Sequence, residues 1–276
     1  MVHQEFVLKL GSGAELFAQS WAPEGKLRAA IALVHGHGEH TGRYAHVGSS
    51  LAEAGYAVCG VDLPGHGRTK GKRGHSSCVE ILDTIGLLIR ETKGRCPGVP
   101  IFLYGHSMGG AMALRYAMTA SPDSAGVIAS SPLLRLAQPA PAWKVAVAKL
   151  MCNLLPSMTL NSPLDLTALS RDAHVVEAAR KDPLYHSKVS TRLGWDIIEW
   201  GQWFELQGGG FPLPLLIMQG TADRIVDAAA TVAFAGRLTG DVTLKTWDGL
   251  YHELHLEPEK DEVISYVVEW MRRHAA

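Results

Sequence analysis

An apolar run, Ile101-Phe102-Leu103-Tyr104, leads directly into Gly105-His106-Ser107-Met108-Gly109-Gly110 and then AMALRYAM. The first part reads as a buried strand and the last as a helix, which leaves Ser107 on the turn between them. A turn that sharp presses the strand end against the first helical turn. Residues without a Cβ are needed on both flanks, and Gly105 and Gly109 meet that need. Ser107 then stands at a helix N-terminus, where the dipole favours developing negative charge. The pattern demands a strand, a helix folded back on it, and a sheet edge where the serine is reached.

The rest of the chain supplies such a sheet. Short apolar runs recur between glycines and prolines: EFVLKL, ELFAQSW, AAIALVH, YAVCGVD, PIFLYGH, GVIASSP, PLLIMQG and VTLKTWDG. Several lack polar alternation, as strands covered on both faces do. Helical periodicity is expected over 43–54, 76–94, 107–120, 227–238 and 257–274. The alternation from residue 29 onward predicts a mostly parallel, doubly wound α/β sheet, with the first two strands antiparallel at one edge. Between the sixth and seventh strands lie roughly 80 residues, far more than a crossover helix needs. We therefore expect a core of residues 1–131 and 212–276 and a helical cap over 132–211, with Gly208-Gly209-Gly210 as the hinge back. In the cap, Trp143, Val147, Leu150, Met151 and Leu154 share a helical face. Packing against the sheet or the cap's own core is the expected role of that face. The alternative is that it lines an apolar tunnel or touches a lipid surface.

A serine hydroxyl needs a base, and the base needs an orienting acid. For this elbow the order along the chain is serine, acid, histidine. Asp223 follows the strand PLLIMQG and His252 follows VTLKTWDG, so both are expected at the same sheet edge as Ser107. Asp227 reads instead as the cap of the next helix, Asp248 as a turn residue, and His255 as a substrate contact or support.

His35-Gly36-His37-Gly38-Glu39-His40, after the strand AAIALV, admits two readings. Three histidines and a glutamate in six residues resemble a metal-binding signature. The same glycine turn can also offer an amide to an oxyanion. The second amide would come from Met108 and this one from His37. No further ligand set accompanies the histidines, and His252-Glu253-Leu254-His255 has the wrong spacing for a helical metal motif. No metal or cofactor is expected.

A net charge of −1 gives no electrostatic case for nucleic acid. Apolar stretches are broken well before the ~18–20 residues that a membrane span requires. The N-terminus alternates like a strand and lacks the basic head and apolar core of a signal. Cys59, Cys78, Cys96 and Cys152 have no metal or disulfide spacing. These features predict a cytoplasmic protein, peripheral at membranes if the cap meets lipid.

The chain resembles the monoacylglycerol lipases of the α/β-hydrolase superfamily. The likeness is carried by His35 to Tyr44 (HGxGEHxxRY), GHSMGG at 105–110, Gly220 to Val226 (GxADRxV) and Tyr251 to Glu257 (YHxLHxE). NLLPSMTL, LSRD and Asp182-Pro183-Leu184 extend it through the cap. The resemblance implies Ser107, Asp223 and His252 as a catalytic triad, with His37 and Met108 as oxyanion donors. It implies a polar pocket for a glycerol head near Glu39, Arg43 and His255, although Glu39 and Arg43 also read as an ion pair bracing the loop. His37 departs from the pattern, since a small residue is usual there. A serine esterase acting on a small lipid ester is the expected function. Lysophospholipase or short-chain carboxylesterase activity, a non-catalytic binding protein, and a metallohydrolase are the alternatives.

Overall fold

The computed structural model describes residues 1–162 and 164–275. Its centre is an eight-stranded sheet: β1 (Val2–Lys9), β2 (Glu15–Ala22), β3 (Ala29–Val34), β4 (Tyr56–Val61), β5 (Ile101–His106), β6 (Gly126–Ser130), β7 (Leu215–Gly220) and β8 (Val242–Trp247). The spatial order is β1-β2-β4-β3-β5-β6-β7-β8. β1 pairs antiparallel with β2, and β2 antiparallel with β4, while β3 to β8 run parallel. The expected mostly parallel sheet with an antiparallel edge is therefore present.

Strands β3 to β7 are buried along their whole length, which explains their unbroken apolar sequences. Helices α1 (Ala45–Glu53) and α8 (Lys260–His274) cover one face, packing Val47, Leu51, Val267 and Trp270 against Ile31, Phe102 and Leu216. Helices α2 (Cys78–Arg95), α3 (Met108–Ala120) and α7 (Ala228–Arg237) cover the other, packing Ile85, Met112 and Phe234 with Ala32, Leu103 and Ile217. Each Val, Leu, Ile, Phe or Met side chain among these contributes about 1.5–3 kcal/mol by leaving water. A capping box at Ser77 and Glu80 fixes where α2 starts.

The long interval between β6 and β7 holds α4 (Ala142–Leu154), α5 (Ala173–Lys181) and α6 (Thr191–Glu205). It also holds an antiparallel pair of short strands, Thr159–Asn161 with Lys188–Ser190, which periodicity alone did not reveal. The cap touches the core backbone to backbone. The His186 amide donates to the Gly38 carbonyl at 2.8 Å, and the Ser190 amide to the Gly74 carbonyl at 2.8 Å. Gly38 has φ +80°, and a Cβ there would run into the His186 carbonyl. One expectation is corrected. Val147, Leu150 and Leu154 pack neither on the sheet nor in a core of the cap but stand exposed, as does Trp143. The buried Cys152 lies on another side of α4, and the helix packs against α6 instead.

Candidate active site

β5 ends at His106, and the chain turns at Ser107 with φ +53° and ψ −118°, a backbone conformation L-residues rarely adopt. Two hydrogen bonds hold that turn. The Ser107 amide donates to the Ser130 carbonyl at 2.9 Å, and the Leu133 amide donates to the Ser107 carbonyl at 2.9 Å. A Cβ on Gly105 would strike the Gly109 carbonyl, and one on Gly109 would strike that of Val34. The first hydrogen bond of α3 runs from the Ala111 amide to the Ser107 carbonyl, so the amides of Met108, Gly109 and Gly110 precede the helical ladder.

Asp223 lies just beyond β7 with a fully buried carboxylate. Its Oδ1 accepts from the amides of Ile225 and Val226 at 2.8 and 3.0 Å. Its Oδ2 accepts from Gln219 Nε2 at 3.0 Å and His252 Nδ1 at 2.8 Å. Burial pushes this carboxyl up, but His252 and the amide donors outweigh it and hold it below the ordinary aspartate value. His252, on the loop after β8, shows the mirror effect. Burial lowers its imidazole, yet the adjoining Asp223 carboxylate prevails and raises it. With Nδ1–H committed to Asp223, neutral His252 keeps Nε2 as its bare acceptor. Ser107 and His252 line one cavity. Among the described residues the Ser107 hydroxyl has no hydrogen-bond partner. Asp227 caps α7 by accepting from the Ala230 amide, and Asp248 accepts from the Thr221 hydroxyl in the turn after β8.

The histidines of the opening loop serve different partners. His35 donates from Nδ1 to the Gly36 carbonyl and accepts the Leu63 amide at Nε2. His40 accepts the Gly42 amide at Nδ1 and donates from Nε2 to Asp182 at 2.7 Å. His37 pairs with His66. Among the described residues no group of three or more His, Cys, Asp or Glu is arranged to hold a metal. Gly36 sits against the elbow, since a Cβ there would lie 3.1 Å from Ser107 Cβ.

Of the residues expected near a polar head, only Glu39 lines the cavity. Its Oε1 accepts from the Gly36 amide at 2.5 Å and the Tyr44 hydroxyl at 2.7 Å. Arg43 is buried between Glu39, at 3.5 Å, and Glu253, at 2.6 Å. It braces the loop against the segment that carries His252, which is the ion-pair reading of the two. One guanidinium shared by two buried carboxylates leaves charge uncompensated, and burial pushes Glu253 up to about 7 against the pull of Arg43. His255 is 1% exposed and stacks on Tyr44 with ring centroids 4.5 Å apart. Arg43 and His255 thus sit behind the cavity wall rather than on it. Gln219 and Glu253 were not anticipated; Gln219 meets Asp223 across the turn that ends β7, and Glu253 meets Arg43 from a distant part of the chain.

The cavity encloses about 970 Å³, its open mouth included. Apolar side chains from the core and the cap form much of its wall: Leu133, Leu136, Val189, Ile197, Ile198 and Ile225.

A family model described as serine aminopeptidase, S33, matches residues 25–259. The chain belongs to this family. Relatives agree over nearly its whole length. An abhydrolase domain-containing protein of Dictyostelium discoideum is 37% identical over 93% of the chain, which spans only 28% of that longer protein. A monoacylglycerol lipase of Mycolicibacterium smegmatis is 32% identical, with 95% of this chain and 94% of the relative covered. The crystal structure of Paleococcus ferrophilus monoacylglycerol lipase superimposes with a TM-score of 0.85 at 34% identity, over 94% of this chain and 99% of that one. The α/β-hydrolase fold and the likeness to monoacylglycerol lipases are both borne out, and this S33 member is a hydrolase.

Proposed function

We propose that this protein is a monoacylglycerol lipase, a serine hydrolase that releases a fatty acid and glycerol through an acyl-enzyme. Ser107 is the nucleophile, His252 the base and Asp223 the orienting acid, while the His37 and Met108 amides receive the oxyanion. The observation that carries this reading is the 2.8 Å Asp223–His252 hydrogen bond at the cavity where Ser107 sits on its strained turn.

In this mechanism His252 Nε2 takes the Ser107 proton as the hydroxyl oxygen attacks the ester carbonyl. The C–O bond forms, and the carbonyl electrons move onto an oxygen held by two fixed amides, which need no reorganisation. Collapse expels the glycerol oxygen, which takes the proton from His252. Water, activated by the same imidazole, then attacks the acyl ester, and Ser107 recovers its proton as the acid leaves.

Residues 132–211 serve as a cap over a core of 1–131 and 212–276. The exposed Val147, Leu150, Leu154, Leu155 and Leu160 support a transient contact of that cap with lipid surfaces. No helix among the described residues is long and apolar enough to cross a membrane. Four free, buried thiols fit a reducing compartment, and we place the protein in the cytoplasm, peripheral at membranes. The test is a rate panel of mono-, di- and triacylglycerols and lysophospholipids, with and without a serine-directed phosphonate. Preference for monoacylglycerol, abolished by the phosphonate, supports the assignment; preference for a lysophospholipid, or turnover insensitive to the phosphonate, defeats the substrate or the mechanism respectively.

A further inference from the structure

His37 donates its backbone amide in the mechanism above, yet its side chain is built into a hydrogen-bond relay of its own. His66 Nδ1 lies 2.9 Å from the Pro64 carbonyl. A carbonyl only accepts, so this nitrogen carries the proton and His66 Nε2 is left with a lone pair. That lone pair lies 3.2 Å from His37 Nδ1, which must therefore donate. His37 Nε2 is then a bare acceptor, and it is buried without a partner among the described residues. Burial keeps both rings neutral, with His37 held down to about 3 and His66 well below its ordinary value. The Pro64 carbonyl therefore sets the direction of the relay.

His37 stands on the wall between two spaces. One is the Ser107 cavity; the other, of about 910 Å³ with its mouth, is lined in part by Asn161, Ser162, Asp182, His186 and Ser187. The apolar wall of the first suits an acyl chain, and the amide, hydroxyl and carboxylate groups of the second suit an alcohol with free hydroxyls. A buried acceptor with no donor is destabilising, and a ligand hydroxyl would relieve it.

Resting on the monoacylglycerol lipase reading and extending it, we propose that His37 Nε2 accepts a hydrogen bond from a free hydroxyl of the alcohol portion. His37 thereby selects esters of polyols over esters of simple alcohols. A site built to bond a hydroxyl rejects the analogue that lacks it more strongly than an apolar wall could.

The experiment compares kcat/KM for a monoacylglycerol and for the methyl ester of the same fatty acid. It uses the wild type, His37→Met (similar bulk, no strong acceptor) and His37→Gln (an acceptor at similar reach). His37→Met should lower the ratio of kcat/KM for the monoacylglycerol to that for the methyl ester about five- to tenfold, as one neutral hydrogen bond implies. His37→Gln should keep most of the discrimination. Equal loss on both esters would reduce His37 to a structural or backbone role and overturn the proposal, as would no change on either. Wild-type protein that hydrolyses neither ester would instead overturn the underlying assignment.

Discussion

Ser107 is held at φ +53° by hydrogen bonds to Ser130 and Leu133, so its position does not depend on its own side chain. Ser107→Ala should therefore fold normally and abolish ester turnover; a fold change seen by circular dichroism, or retained turnover, would contradict this. Gly109→Ala is the opposite case, because the added methyl meets the Val34 and His35 carbonyls, and loss of soluble, folded protein is expected. Asp223 raises His252, and general-base action needs the imidazole neutral. The kcat/KM profile should thus fall on the acid side with a midpoint above 6.5, the ordinary histidine value. Asp223→Asn removes the charge that raises His252, so the midpoint should move down, with a rate loss on the order of 10⁴-fold. An unmoved midpoint would dissociate Asp223 from the base. The placement of Ser107, Asp223 and His252 at one sheet edge was legible in the sequence because each follows a strand with a recognisable apolar run. Gln219 and Glu253 were not, since nothing local to either marks the partner that it meets: Asp223 across a turn, and Arg43, 210 residues away. The burial of Arg43 and His255 was hidden for the same reason.

At the scale of elements, helices α1, α2, α3, α7 and α8 and all eight strands of the main sheet followed from periodicity and from glycine and proline boundaries. The cap was harder. A stripe such as Trp143, Val147, Leu150 and Leu154 has the same period whether it faces a core or faces out, and here it faces out. The Thr159–Asn161 and Lys188–Ser190 strands are three residues each, too short to show alternation. The outward stripe carries a prediction. Leu150→Ser combined with Leu154→Ser should weaken sedimentation with phospholipid vesicles, while turnover of a dispersed short-chain ester stays within about twofold, since surface changes away from a site cost little. Unchanged vesicle binding would remove α4 as the lipid-facing element.

For the whole molecule, the sheet brings three loops from distant parts of the chain to one edge, and the cap closes an apolar cavity over them. In the proposed mechanism, Ser107 becomes a nucleophile only if Asp223, His252 and the hydroxyl act as one unit. The most direct measurement is intact-protein mass spectrometry after treatment with a serine-directed phosphonate, followed by peptide mapping. The account predicts one adduct, on Ser107, that forms in parallel with the loss of monoacylglycerol hydrolysis and much more slowly in His252→Ala. An adduct on another residue, or full labelling of Ser107 with hydrolysis intact, would contradict it.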